Sequence, residues 1–185
     1  MELIAHLRTG ARANRLANHR LHTAMTGLTA ADFHAPRTGF FPSLAQTLNH
    51  ILAVDIYYIA ALRHEADMEA QYRAFVPCAD LAALAARQRA SDERLIAHLD
   101  ALPAARLDER VVMDRGATEQ VDLAGHVIAH LFMHQTHHRG QAHAMLSGTA
   151  VAPPQLDEFL MPSDAPLRVA DMQALGWSEG DLFRR

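Results

Sequence analysis

Four stretches of this 185-residue chain repeat their apolar residues every three or four positions, and each is bounded by a proline, a glycine or a capping residue. That period marks a helix with one buried stripe, and four such stripes can hide from water only against one another. The first runs from about residue 2 to Gly27, with Leu3, Leu7, Leu16, Leu21 and Met25 on its stripe. Gly27 suits a left-handed terminus there. The connector from Leu28 to Phe41 holds one candidate turn, opened by Thr29 and Asp32 and stopped at Pro36. Pro42 fits the first turn of a second helix that carries Leu44, Leu48, Ile51, Leu52, Ile59 and Leu62. Asp80 caps a third, from about Leu81 to Leu102, which Pro103 ends. The fourth is expected from Asp122, as its cap, to Ser147, with Gly148 as its stop.

Between the third and fourth stripes, RVVMDRGATEQV sets two β-prone pieces around an Arg-Gly turn, which predicts a short β-hairpin or an extended crossover. After residue 150 the period fails: Pro153, Pro154, Pro162 and Pro166 give an irregular tail with one short helix around Val169–Leu175. The expected fold is all-α, a four-helix bundle with long crossover connections over residues 1–150. The tail, 151–185, packs on that domain or extends from it.

Composition removes several classes of function. The formal charge of −4 provides no basic field for nucleic acid, and Lys is absent. No apolar run reaches the roughly 18 residues of a membrane span, and the first twenty residues lack the apolar stretch of a signal peptide. The expected location is cytoplasmic. A single cysteine, Cys78, excludes an internal disulfide and a thiolate zinc cluster. The motifs GxSxG, GxxxxGK[ST] and GxGxxG do not occur, so serine acyl transfer, nucleotide hydrolysis and dinucleotide redox chemistry have no support. Paired Glu-x-x-His motifs of a di-iron bundle are missing as well.

Histidine is the exception, with 13 in the chain and a cluster at 126, 130, 134, 137, 138 and 143. His126, His130, His134 and His138 fall four apart on the fourth helix. An adjacent pair shares a face and can chelate one ion, but each step of four rotates about 40°, so all four cannot meet. A further ligand must come from a facing helix. Cys78 reads most simply as a half-buried thiol.

The run His134-Gln135-Thr136-His137-His138-Arg139-Gly140-Gln141 resembles the HxxxHRGQ signature of the DinB/YfiT-like family of helical-bundle metalloproteins. Asn49-His50-Ile51-Leu52-Ala53-Val54-Asp55 is similar to that family's second-helix motif, Ala13–Asn18 to its N-terminal motif, and Pro153–Asp157 to a segment after its last helix. The likeness covers roughly residues 1 to 160; the chain departs from the pattern at Leu16, Tyr58 and Met133, where Trp, Trp and Asn are expected. It implies one divalent transition metal per chain on His50, His134 and His138: Zn or Ni first, then Fe, Co or Mn. Imidazole nitrogens suit those ions and disfavour Mg and Ca. Three protein ligands leave a position open, as catalytic sites do.

The same resemblance implies an enzyme acting on a small molecule, a low-molecular-weight-thiol-dependent S-transferase or isomerase, and a homodimer. Arg139 and Gln141 would then shape the site or pack helices. The alternative is a non-catalytic metal-binding stress-response protein. The pair is HQTHH and not HExxH, so a zinc-protease base is missing from its place. Asp55 either orients a ligand histidine or makes a structural hydrogen bond, and His130 is a candidate for the pocket wall.

Overall fold

Capping residues set where the helices begin. The computed structural model describes residues 2–157 and 160–184. Its elements are α1 (Leu3–Met25), α2 (Ala30–His34), α3 (Leu44–Leu62), α4 (Met68–Arg73), α5 (Leu81–Ala101), β1 (Arg110–Asp114), β2 (Glu119–Leu123), α6 (Ala124–Leu146), α7 (Val169–Leu175) and α8 (Glu179–Leu182). The side chains of Thr29, Ser43 and Asp80 accept from Asp32 N, Gln46 N and Ala83 N at the starts of α2, α3 and α5. Each satisfies an amide that the first turn leaves orphaned.

Three expected boundaries are corrected. Pro42 lies outside α3, because Ser43 takes the cap. Asp122 belongs to β2, and α6 opens at Ala124 behind an uncapped Leu123. Gly27 is not left-handed; α1 ends through tightened bonds from Thr26, Gly27 and Leu28 to Thr23, Ala24 and Met25. The lone turn α4, in the crossover from α3 to α5, has no counterpart in the expected elements.

Helix α1 packs against α5 and α3 against α6, and α3–α5 and α1–α6 contacts close the bundle. The hairpin forms where the β-prone pieces lie, antiparallel, with Val112 opposite Val121 and Gly116 at φ 81° in its turn. Val111 and Met113 point into the bundle, and Tyr57 Oη donates to Asp114 O at 2.6 Å, which ties the hairpin to α3. The tail lies across α1: Leu156 and Leu175 rest on Leu16 and Ala17, and Arg20 pairs with Asp171 at 2.7 Å.

The core is divided. One apolar cluster joins Ile4, Leu7, Leu62, Leu95, Leu99, Ile128 and Leu131, and the other joins Leu21, Met25, Leu44, Leu52, Leu84, Ala142 and Leu146. Between them runs a buried polar layer with members on all four long helices. Arg139 of α6 donates to Asn14 Oδ1 at 2.5 Å and Asn18 Oδ1 at 3.0 Å. Those amides donate onward to Asp92 Oδ1 at 3.2 and 3.0 Å. Gln88 bridges Asp92 at 3.1 Å and Asp55 Oδ2 at 2.6 Å. A buried polar group is tolerated when it is paired, so this layer stands or falls as a set.

Asp55 is fully buried, and its Oδ1 has no partner. Burial first, then the neighbouring charge of Asp92, pushes its pKa to about 8. A neutral carboxyl supplies an O–H that a carboxylate lacks. Gln135 lies beside it, and its carboxamide, like that of Gln88, favours the charged form without offsetting the effect of burial. A folded-state pKa above the usual 3.8 means the folded protein holds a proton that the unfolded chain releases. That contribution is complete below the unfolded value and is lost as pH rises toward 8, at about 1.4 kcal/mol per pH unit. Asp55→Asn is therefore expected to fold and to lose less stability between pH 6 and pH 8 than the parent chain, as read from urea unfolding midpoints; an equal loss in both would contradict a neutral Asp55.

Candidate metal centre

The side-by-side packing of α3 and α6 brings His50 of α3 against His134 and His138, which stand one turn apart on α6. Ring centroids lie 5.0 Å (His50–His134), 4.6 Å (His50–His138) and 4.5 Å (His134–His138) apart. His50 Nε2 and His134 Nε2 approach to 3.0 Å, and one ring nitrogen from each of the three falls within 4.8 Å of the others. This group could hold one ion. Two imidazole nitrogens on a tetrahedral ion with bonds of about 2.0–2.1 Å sit about 3.3–3.4 Å apart, so the His50–His134 pair would open slightly and the wider separations within the group would close.

Electrostatics prepare the rings. Burial, then the neighbouring histidines, lowers the pKa of His134 to about 3 and of His50 to about 4, and burial lowers that of His138. All three are neutral at neutral pH, the state in which imidazole can donate a lone pair. His138 Nδ1 meets Gln141 Oε1 at 2.8 Å. The carboxamide oxygen accepts only, so His138 Nδ1 carries the proton and Nε2 offers the lone pair. In this orientation of the amide, Gln141 Nε2 meanwhile lies 3.1 Å from His137 Nε2 and donates to it. Phe41 roofs the group, 4.4 Å from the His50 ring and 5.6 Å from that of His138.

The remaining histidines separate by environment. His126 is exposed and pairs with Asp122, and His143 bonds Pro154 O at 2.9 Å and holds the tail. His130 lies 5.3 Å from Tyr58 and lines a cavity of about 290 Å³ that reaches His134. Tyr57, Tyr58 and Tyr72 form its aromatic wall. Arg115, from the hairpin turn, lies over Tyr57 and Tyr58 at 5.0 and 5.6 Å and donates to Tyr58 Oη at 3.1 Å. Asp55 bonds Gln88, which selects the structural of its two expected roles. Arg139 belongs to the polar layer. Cys78 is buried, with its backbone clamped by Asn49 at 2.7 and 3.0 Å, and it stands outside the histidine group.

Of the two roles expected for Gln141, its contact with His138 Nδ1 selects the site-shaping one. Sequence reasoning missed two contributors, Phe41 and Arg115, which had no signal because each reaches the site by the path of a connection. Removing the partner of a ligand imidazole typically lowers metal affinity about 10–100-fold. Gln141→Leu is expected to do so while leaving the helical circular dichroism intact; competition with a chromophoric chelator measures it, and unchanged affinity would deny Gln141 its role.

No curated protein matches the chain. Residues 5–169 match the DinB family, a span that takes in all four long helices, the histidine group and the start of α7. The chain belongs to the DinB family.

Proposed function

We propose that this chain is a metal-dependent enzyme that holds one divalent transition ion on His50, His134 and His138 and acts on a small molecule as a thiol-dependent S-transferase or isomerase. The observation that carries this is the histidine group itself: three neutral imidazoles converge without a fourth protein ligand among the described residues, beside a cavity that reaches His134. Structural sites usually close all four positions, whereas catalytic ones keep one open. The nitrogen-only donor set favours Zn, Ni, Co or Fe over Mg or Ca.

Bound there, the ion supplies a Lewis acid that lowers the pKa of a thiol or water placed beside it. The protein does the rest. Gln141 holds the His138 ring, Phe41 limits water on one side, and the tyrosine wall with Arg115 offers an amphipathic surface for the body of a substrate. Binding by this wall would orient the electrophile relative to the thiol.

Two tests follow. Elemental analysis of the untagged protein should give one transition ion per chain at neutral pH, released as protons compete for the imidazoles on acidification. Stoichiometric retention well below pH 4 would exclude an all-histidine site. Protein loaded with Zn or Ni should turn over a chromogenic electrophile with at least one low-molecular-weight thiol, and His138→Ala should abolish both turnover and stoichiometric metal. Full metal loading without turnover across a thiol panel would instead support a non-catalytic metal-binding protein.

A further inference from the structure

Away from the α3–α6 histidine group, α1 and α5 line an open cleft of about 280 Å³. The end of α1 contributes Arg15, His19, His22, Thr23 and Thr26, and α5 contributes Arg89 and three alanines. No carboxylate lines it. The alanines leave space and add no acceptor that would consume the cations.

Arg15 is the anomaly. As a residue it is only 7 % exposed, yet among the described residues it makes no hydrogen bond and no ion pair, and its guanidinium opens onto the cleft. The other buried arginines are all engaged: Arg12 with Asp100, Arg139 with Asn14 and Asn18, Arg168 with Glu179. The carboxylates whose fields reach Arg15 are Asp92 and Glu93, with Arg89 opposing them. Asp92 already accepts from Asn14, Asn18 and Gln88. Arg89 across the cavity likewise has no partner among the described residues. Two guanidinium groups that face one cleft without protein acceptors are placed to donate charge-assisted hydrogen bonds to an anion.

The neighbours are suited to the same ligand. Burial and the Arg15 charge hold His22 neutral, with its pKa near 3, and lower that of His19 as well. His19 faces Asp171 only at 3.9 Å, and among the described residues the ring nitrogens of His22 and the Thr23 hydroxyl have no partner. Two guanidinium groups and neutral N–H and O–H donors thus line a cleft with no carboxylate on its wall. That combination matches a multivalent oxyanion, which takes charge-assisted bonds from arginine and completes its shell with neutral donors.

We infer that the α1–α5 cavity binds a small oxyanion of the phosphate or sulfate type, between Arg15 and Arg89, with His22 and Thr23 as neutral donors. The volume leaves room for a short organic body, so the anion can be free or esterified. The site is separate from the histidine group and does not depend on the function proposed for it.

The test is titration of the zinc-loaded full chain with inorganic phosphate, and separately with glycerol 3-phosphate, at constant ionic strength set by chloride. Saturable amide shifts in ¹H–¹⁵N spectra at Thr23, Thr26 and Ala86 are expected, and tighter binding of the ester identifies an esterified ligand. Loss of a charge-assisted bond should weaken binding about tenfold or more in Arg89→Ala, an exposed position that leaves folding intact, and further in Arg15→Gln. His138→Ala should leave the affinity unchanged, which separates this site from anion uptake at the metal. Shifts no larger than chloride gives, or affinities undiminished in Arg89→Ala, overturn the proposal.

Discussion

The bundle is organised around one buried cation, Arg139, and the amides that receive it. Asn14 and Asn18 accept from its guanidinium and donate to Asp92, and Gln88 carries the chain of bonds to Asp55. Leucines can slide against leucines at modest cost, but this set has one register in which its members are satisfied. It lies between the two apolar clusters and so fixes how the four helices align along their length. Arg139 directly follows His138 in sequence, so the alignment that satisfies the layer also sets the angular position of the histidine pair on α6.

Much of this was legible in the sequence where a short-range rule governs. The stripes of Leu44–Leu62 and Leu81–Ala101 gave helices because burial on one face dictates a period, and Asp80 marked a start because its carboxylate satisfies an orphan amide. His134 and His138 share a face by helical geometry alone. His50 entered through the family motif, since nothing local says which distant helix will lie opposite. Pro42 and Asp122 misled by a residue or two because Ser43 capped better and β-pairing claimed Asp122.

What was not legible is long-range. Asp55 looked equally suited to a histidine and to a structural bond, and the choice was made by Gln88, thirty-three positions away. The wall formed by Tyr57, Tyr58 and Arg115 depends on where the hairpin folds back, which the Tyr57–Asp114 bond settles. Arg15 had no signal at all: an arginine in an amphipathic helix reads as a solvated charge until its packing against α5 is known.

The two-ended grip of Gln141 has a consequence for the chemistry of His138. One carboxamide faces the His138 ring with its oxygen and the outward-lying His137 with its nitrogen. A half-turn of that amide would present N–H to His138 Nδ1 and leave the ring's other nitrogen as the protonated one. The protonated nitrogen of His138 is thus coupled, through one amide, to the tautomer of His137, an exposed ring outside the group of three.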